Sequence, residues 1–349
     1  MTASALPDWS RLHGAPLGHA RFRVTPEDFQ VEEIMPFTPE GEGEHLWLWL
    51  EKRAMSTPVL VRHVARRLEV APRDIGISGL KDHGAVTRQW LSVWLPGRET
   101  PERLAALLAL EDGATRVALL DHARHPRKLK RGVHLANRFR IELREPEASE
   151  SALDDRWQQL VTQGVPNYFG PQRFGVGGDN ISRALRLFER GWRRRDDREG
   201  LLLSTARSYL FNAVLAERID QDCWLTPLAG EVFNLAGSAS HFTAESPDAE
   251  LSERLASGDI HPTGPLWGRG ETAACGVAAE LEQRVIERHP LLRAGIEQAG
   301  AKPARRSLRL MPEAATMVNG HEGVSVSFTL ARGGFATAVL RELITHEQL

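Results

Sequence analysis

The spacing of apolar residues changes twice along the chain, and this constrains the fold more than any other feature. Residues 20–50 and 137–145 alternate apolar and polar side chains, as half-buried strands do. From about 152 to 306 the spacing becomes helical. Strand-like alternation returns near the end, in "VSVSFTL". The order of sheet, helices and sheet predicts an α+β chain in which a mainly helical insertion splits one domain and C-terminal strands complete its sheet.

Two elements frame the most informative part of the sheet-rich region. Residues 57–70 have helical spacing, and Thr57 followed by Pro58 suits a helix start. Residues 90–96, "WLSVWLP", return to a strand. The segment between them must therefore connect a helix to a strand within the first domain.

Composition limits the classes of protein to which the chain can belong. With 349 residues and 42% hydrophobic side chains, it can bury two cores. No apolar run approaches the roughly 18 residues that span a bilayer, and the first residues lack an export signal. We therefore expect a cytoplasmic protein without membrane contact. Cys223 and Cys275 are far apart, and the close pair His122 and His125 has no carboxylate beside it, so neither a disulfide nor a metal site is predicted.

Two local runs of positive charge contrast with the formal net charge of −2. "RHPRKLKR", residues 124–131, has five Lys or Arg in eight positions and no acid. "RGWRRR", residues 190–195, has four Arg beside a Trp and is followed by the acidic "DDRE". Such runs suit a phosphate backbone, although they also occur as solvated faces.

The stretch "GLKDHGAVTRQW" places Asp82 between Lys81 and His83, with a glycine on either side. Nearby positive charge favours the ionised form of a carboxylate, which a nucleophile or base requires. Glycines allow tight turns and close approach of a ligand. The same residues also suit a polar hairpin turn, so this fragment alone leaves both interpretations open.

A second stretch, "GVPNYFGPQRFG", is dense in aromatic residues. Tyr168, Phe169 and Phe174 could stack on bases while Gln172 and Arg173 contact RNA. The same aromatic side chains could instead pack the loop against the core. Both interpretations stay open for this stretch.

An unrelated hypothesis is a glycosidase that uses "EGEGEH". Such an enzyme needs two acids roughly 5 to 10 Å apart across a sugar. Glu42 and Glu44 lie in a glycine-rich segment predicted to be a flexible loop. We therefore do not favour this hypothesis.

Four motifs in order, "TPEDFQVEE", "GLKDHGAVTRQW", "GVPNYFGPQRFG" and "GGFATAVLREL", make the chain resemble the TruD family of tRNA pseudouridine synthases. The resemblance covers nearly the whole chain and is least specific over about 215–300. It implies a pseudouridine-synthase-like catalytic domain with a mainly antiparallel mixed sheet at 1–155 and 307–349, split by an α-rich inserted TRUD domain at 156–306. A non-catalytic tRNA-binding or RNA-folding protein on the same scaffold is the alternative.

The resemblance also implies an activity. Members of the family isomerise uridine at position 13 in the D-arm of tRNA to pseudouridine, by flipping the base out and using an essential aspartate. The implied partner is tRNA. No cofactor, metal or protein partner is implied, and we expect a monomer.

Residue by residue, the family's catalytic aspartate matches Asp82, which is expected to be the nucleophile. The residues that hold the base match Phe29, Asn137, Phe139 and Phe335. Aromatic stacking, worth about 1–3 kcal/mol per base, can offset the cost of unstacking a uridine, and an amide can pair with the edge of uracil. The point of attack stays open among uracil C6, ribose C1′ and the C2′ proton.

A basic partner for Asp82 is also expected. Lys81 is adjacent, but neighbours in an extended chain point to opposite faces. Arg23, expected on the first strand, occupies a position where the family has a lysine. Both are predicted to contribute to the substrate site, with Arg23 favoured as the ion-pair partner.

Overall fold

The computed structural model describes residues 6–192, 197–320 and 323–349, so Arg193–Arg195 of the second basic run lie outside it. The chain forms two compact units. The sheet unit comprises Gly18–Trp157 and Pro312–Gly333, and the helical unit comprises Met1–Leu17, Gln158–Met311 and Gly334–Leu349. Within the described residues, no helix is both long and apolar enough to cross a membrane.

The strands and helices of the described residues are numbered in chain order. The strands are β1 (Phe29–Ile34), β2 (His45–Arg53), β3 (Ile75–Ile77), β4 (Val86–Trp94), β5 (Leu110–Asp112), β6 (Thr115–His125), β7 (Ala136–Arg144), β8 (Val165–Pro166), β9 (Glu231–Leu235), β10 (His241–Ala244), β11 (Ile260–Leu266), β12 (Ala304–Ser307), β13 (Arg309–Leu310), β14 (Glu313–Gly320) and β15 (Gly323–Ala331). The helices are α1 (Thr57–Arg67), α2 (Leu104–Leu108), α3 (Glu150–Gln163), α4 (Asp179–Glu189), α5 (Asp197–Asp220), α6 (Ala249–Ser257), α7 (Gly276–Glu287), α8 (Pro290–Gln298) and α9 (Ala336–Leu340).

The sheet unit contains one nine-stranded mixed sheet. Its order is β14-β15-β7-β1-β4-β2-β6-β5, with β3 paired to β4. The pair of β1 and β4 is parallel, and the other pairs are antiparallel. β15 pairs with β7, so strands from the end of the chain complete a sheet begun near its start. The predicted α+β class with a mainly antiparallel mixed sheet is confirmed.

One face of this sheet is apolar because the strands alternate as their sequences do. On β7, Phe139, Ile141 and Leu143 are buried, while Arg138 and Arg140 are exposed. Leucines of β2 and β4 pack with α1 and α2 into the core of this unit. The same face also carries polar side chains near one end of β1, β2 and β7, which form the site described below.

The helical unit is built around the 24-residue helix α5. Apolar residues of α4, α5, α7 and α8 share one core. This unit also contains a four-stranded sheet with the order β10-β9-β11-β12, which the sequence pattern does not reveal. The strand β11 contains Pro262 and Pro265, residues that normally argue against a strand.

Both chain ends lie in the helical unit, whereas the sequence assigned residues 1–155 and 307–349 to the catalytic domain. Hydrogen bonds from two buried charged side chains to backbone groups hold the ends together. Glu342 Oε2 accepts the backbone N–H groups of Leu12 and His13 at 3.0 and 3.3 Å, and Arg341 donates to the Trp9 carbonyl. These contacts join the two ends to each other within the helical unit.

Candidate active site

Asp82 lies in the connection between β3 and β4, within the sheet unit. Its side chain is 40% exposed, and the neighbouring His83 and Gly84 are exposed as well. The two interpretations of this motif are therefore compatible. The segment is a turn between antiparallel strands, and it presents a carboxylate to solvent.

Arg23 forms an ion pair with this carboxylate. Its Nη2 donates to Asp82 Oδ2 at 2.7 Å, and its Cζ lies 3.9 Å from the centroid of the Phe29 ring. The expected position of Arg23 on the first strand was wrong, because β1 begins only at Phe29. Arg23 instead has a left-handed backbone, with φ of 59°. That conformation costs about 1–3 kcal/mol in a non-glycine residue and is concentrated at functional sites.

Lys81 is committed to a buried network. Its Nζ donates to Glu33 Oε1 and to Asn137 Oδ1, both at 2.9 Å, and the second oxygen of Glu33 accepts the Trp90 backbone N–H at 3.1 Å. Since an ammonium group only donates, it orients the Asn137 amide with its oxygen towards Lys81 and its Nδ2 away. Lys81 thus holds Asn137 rather than serving as the ion-pair partner of its neighbour Asp82.

A second buried lysine reaches the same loop. Lys52, at the end of β2, is 0% exposed, and its Nζ donates to the backbone carbonyl of Asp82 at 2.7 Å. Burial lowers the pKa of Lys52 to about 8, the charge of Asp82 opposes this shift, and the charge of Lys81 adds to it. Sequence reasoning missed Lys52, and it equally missed Glu33.

The aromatic residues Phe29 and Phe139 lie side by side on β1 and β7. Their ring centroids are 6.1 Å apart in an edge-on arrangement, and Phe139 stacks on Phe328 at 5.5 Å. Phe29 is 2% exposed and Phe139 is 7% exposed. They form a packed apolar wall here, and a base could stack on a ring face only after a side chain moved.

Phe335, the third predicted base-holding ring, belongs to the helical unit and lies just before α9. Its centroid is 5.9 Å from that of Phe169, and the Cζ of Arg306 lies 4.3 Å from the Phe169 ring. Burial, followed by the charge of Arg173, lowers the pKa of Arg306 to about 9. The structure thus brings together six of the predicted site residues in the sheet unit and places Phe335 in the other unit.

In the stretch "GVPNYFGPQRFG", the packing interpretation applies to all three rings. Tyr168, Phe169 and Phe174 are buried in the core of the helical unit. Arg173 lies beside the ring of Phe169, with its Cζ 5.3 Å from the centroid. The proposed glycosidase acids, Glu42 and Glu44, are both exposed, and the indole N–H of Trp94 donates to Glu44 at 3.2 Å.

The basic run 124–131 is fixed at its backbone and exposed at its charges. The Trp47 indole donates to the Arg127 carbonyl at 3.0 Å, and the backbone N–H of Leu129 donates to Ser92 Oγ at 2.8 Å. Four of its cationic side chains are exposed. The following residue, Gly132, donates to the carbonyl of Ser78 at 2.8 Å, four residues before Asp82. The run therefore lies next to the segment that carries the catalytic candidate.

His134 connects this run to the buried network. Its Nδ1 lies 2.6 Å from Ser78 Oγ and 3.9 Å from Glu33 Oε1. Burial lowers the pKa of His134 to about 4, and the charges of Lys81 and Arg332 act in the same direction. The ring is therefore neutral at pH 7 and must gain a proton in acid.

This pKa predicts a loss of stability in acid. The folded pKa of about 4 lies below the ordinary value of 6.5, so the unfolded chain binds the proton first and stability falls as pH drops from about 6.5 to 4. We expect His134 to contribute about 2 kcal/mol of this loss between pH 7 and 5. Urea unfolding at both pH values measures the free energy of unfolding. Between pH 7 and 5 this free energy should fall less in His134→Gln than in the wild type, whereas exposed His241→Gln should show the same fall as the wild type. An equal loss in both variants would contradict the assignment.

Comparisons with known proteins identify the family of the chain. The family model described as tRNA pseudouridine synthase D (TruD) matches residues 14–183 and 196–343. A protein of Chromohalobacter salexigens named tRNA pseudouridine synthase D is 55% identical over 98% of both chains, and one of Methylococcus capsulatus with the same name is 42% identical over 97% of this chain and 94% of its own. The chain belongs to the TruD family of tRNA pseudouridine synthases.

A solved structure supports the fold. The crystal structure of a Methanosarcina mazei protein described under the same family name superimposes with a TM-score of 0.69, covering 97% of this chain and 95% of that one. The sequence identity is 21%, so this match supports the fold alone.

Proposed function

We propose that the protein is a cytoplasmic tRNA pseudouridine synthase that converts uridine at position 13 of the D-arm to pseudouridine. The observation that carries the proposal is the arrangement around Asp82. A half-exposed carboxylate is ion-paired to a strained arginine that also lies on an apolar wall. The amide of Asn137 on β7 is oriented by Lys81, the residue that precedes Asp82. A carboxylate can act as a nucleophile, and an apolar wall with an oriented amide can hold a flipped base.

The roles of the residues follow from their contacts. Asp82 acts as the nucleophile, and Arg23 holds its carboxylate in one orientation through the 2.7 Å contact. Asn137 presents its Nδ2 to a carbonyl oxygen of uracil, since its Oδ1 faces Lys81. Phe29 and Phe139 bound the space in which the freed base turns.

Incubation with tRNA tests the proposal directly. Unmodified transcripts, one for each tRNA species, are treated with the purified protein, and pseudouridine is mapped by carbodiimide modification and primer extension. A single product at position 13 is expected in the accepted tRNAs. A protein that binds these transcripts but leaves every uridine unchanged would instead be the non-catalytic RNA-binding protein.

The basic run is proposed to contact the tRNA backbone. Replacing Arg127, Lys128 and Lys130 with Gln should weaken tRNA binding. It should also reduce the slope of log Kd against log salt by about 2, because each lost phosphate contact removes roughly 0.7–0.9. Filter binding between 50 and 300 mM salt measures the slope. The control changes the exposed Arg62, Arg66 and Arg67 of α1 to Gln, with the same loss of charge. If both triple variants shift the slope equally, the run has no specific role.

A further inference from the structure

We propose that Lys52 is a positioning residue for the reaction, which holds Asp82 through its backbone while Arg23 holds it through its carboxylate. The inference rests on the proposed function and adds a residue that the motif resemblance does not include. Its basis is the direct contact of a fully buried ammonium group with the Asp82 carbonyl, at 2.7 Å.

The location of Lys52 is unusual for a lysine. It stands on the inward face of β2, opposite Thr87 of β4 and Val117 of β6. Neither of these neighbours can neutralise a positive charge. Lysine is almost never fully buried unless it is paired, since burying an ammonium group is costly. Within the described residues, the Nζ of Lys52 donates to the backbone carbonyl of Asp82. This partner is neutral, so no directly bonded carboxylate offsets the cost of burying the ammonium group.

The charged groups around Lys52 can be assigned to their elements. Asp82 and Lys81 face it from the connection between β3 and β4, and Asp82 in turn pairs with Arg23. On β2 itself, Glu51 accepts a hydrogen bond from Arg88, and Arg53 donates one to Glu27. Glu51 and Arg53 are the direct chain neighbours of Lys52, so their side chains point to the opposite face of the sheet. Asp82 is therefore the one negative charge that acts on Lys52 among the groups described.

The polar surroundings of Lys52 support a role that is not structural. The buried Thr87 Oγ1 on the adjacent strand has no hydrogen-bond partner. An ammonium group can donate to a hydroxyl oxygen, but the Nζ of Lys52 donates to the Asp82 carbonyl instead. Its single strong contact fixes the carbonyl of Asp82, and with it the backbone from which the carboxylate projects.

Asp82 is held by two contacts, one at its backbone carbonyl and one at its carboxylate. With the carbonyl held by Lys52 and the carboxylate held by Arg23, Asp82 cannot turn away from a bound uridine. Loss of the backbone anchor would leave the carboxylate paired but displaced, and a displacement of about 1 Å can cost on the order of 10²-fold in rate. Since Lys52 is buried, substrate binding itself should change little.

The protonation of Lys52 gives this role a pH signature. Below pH of about 8 the ammonium group is charged and holds the carbonyl, and above that pH it loses its charge and the contact weakens. The rate of isomerisation by the wild-type protein should therefore fall as pH rises above about 8. A side chain that cannot titrate should abolish this fall.

The test measures kcat, KM and their pH dependence for Lys52→Met, Lys52→Arg and the control Thr87→Val, with a tRNA transcript as substrate. We expect Lys52→Met to lose roughly 10²-fold in kcat with KM within about threefold and no fall above pH 8. Lys52→Arg, which stays charged, should recover activity and remain active at pH 9. Thr87→Val should behave like the wild type, because its hydroxyl is unpaired.

Thermal unfolding is measured for the same variants at pH 7. Lys52→Met should be at least as stable as the wild type, because it removes a buried charge. The inference is overturned if Lys52→Met keeps the wild-type kcat, or if its kcat falls while the decline above pH 8 persists. If instead the wild-type protein makes no pseudouridine in any transcript, the proposed function fails, and this outcome is distinct from the failure of the Lys52 variants.

Discussion

Asp82→Asn should bind tRNA as tightly as the wild type, within about threefold, and lose at least about 10³-fold of its isomerase activity. Asparagine has the shape of aspartate and keeps an oxygen that can accept the hydrogen bond from Arg23. It lacks the negative charge, so it can act neither as a nucleophile nor as a base at the sugar. Only the chemical step should therefore be affected.

Single-turnover assays with excess enzyme measure the chemical step, and filter binding measures the affinity for tRNA. The matched control is Asp112→Asn, the same chemical change at an exposed position on β5 of the same unit. It should match the wild type in both assays. An active Asp82→Asn would show that Asp82 is not the nucleophile, and a variant that no longer binds tRNA would assign it a binding role instead.

The strands of the sheet unit could be predicted because burial alternates with the sequence. In "NRFRIELRE", the apolar residues Phe139, Ile141 and Leu143 point inward in the structure as the period of two requires. The same rule could have identified Lys52. In "LWLWLEK" the inward positions Leu46, Leu48 and Leu50 are followed, two residues later, by Lys52. A lysine that continues an inward row of leucines either marks the point where the strand leaves the core or has a functional role.

Other features were beyond sequence reasoning for physical reasons. Nothing in "RFRVTPEDF" marks Arg23 as left-handed, because the conformation is imposed by tertiary contacts and not by a glycine. The pairing of Glu33 with Lys81 joins residues 48 positions apart and depends on the register of β1 against its neighbours. The assignment of Asp82 itself came from motif resemblance, since its local sequence is equally suited to a turn.

The site combines backbone strain with buried charge. Arg23 has a costly backbone conformation, and Lys52 and Glu33 are charged side chains without exposure. Each feature opposes folding by itself. Together they hold Asp82 by its carboxylate and its carbonyl, and they fix the amide of Asn137. A fold selected for stability alone would have little reason to retain this combination.

The buried pair of Lys81 and Glu33 should have the largest effect on stability. Lys81→Met leaves the fully buried Glu33 carboxylate without its cation, which typically costs about 3–5 kcal/mol. The same variant frees the Asn137 amide to turn, so activity of the remaining folded protein should fall as well. Urea unfolding at pH 7 measures the free energy of unfolding. Exposed Lys130→Met is the control and should change it by less than about 0.5 kcal/mol.

A double-mutant cycle separates the pair from its surroundings. In Lys81→Met with Glu33→Gln, the buried charge is gone, while the glutamine oxygen can still accept the Trp90 N–H. The double variant should therefore be more stable than Lys81→Met alone, by about 2 kcal/mol or more. Its activity should stay low, because Asn137 has lost the ammonium group that orients it. Additive destabilisation would show that Lys81 and Glu33 act independently, and wild-type activity in the double variant would show that the orientation of Asn137 does not depend on Lys81.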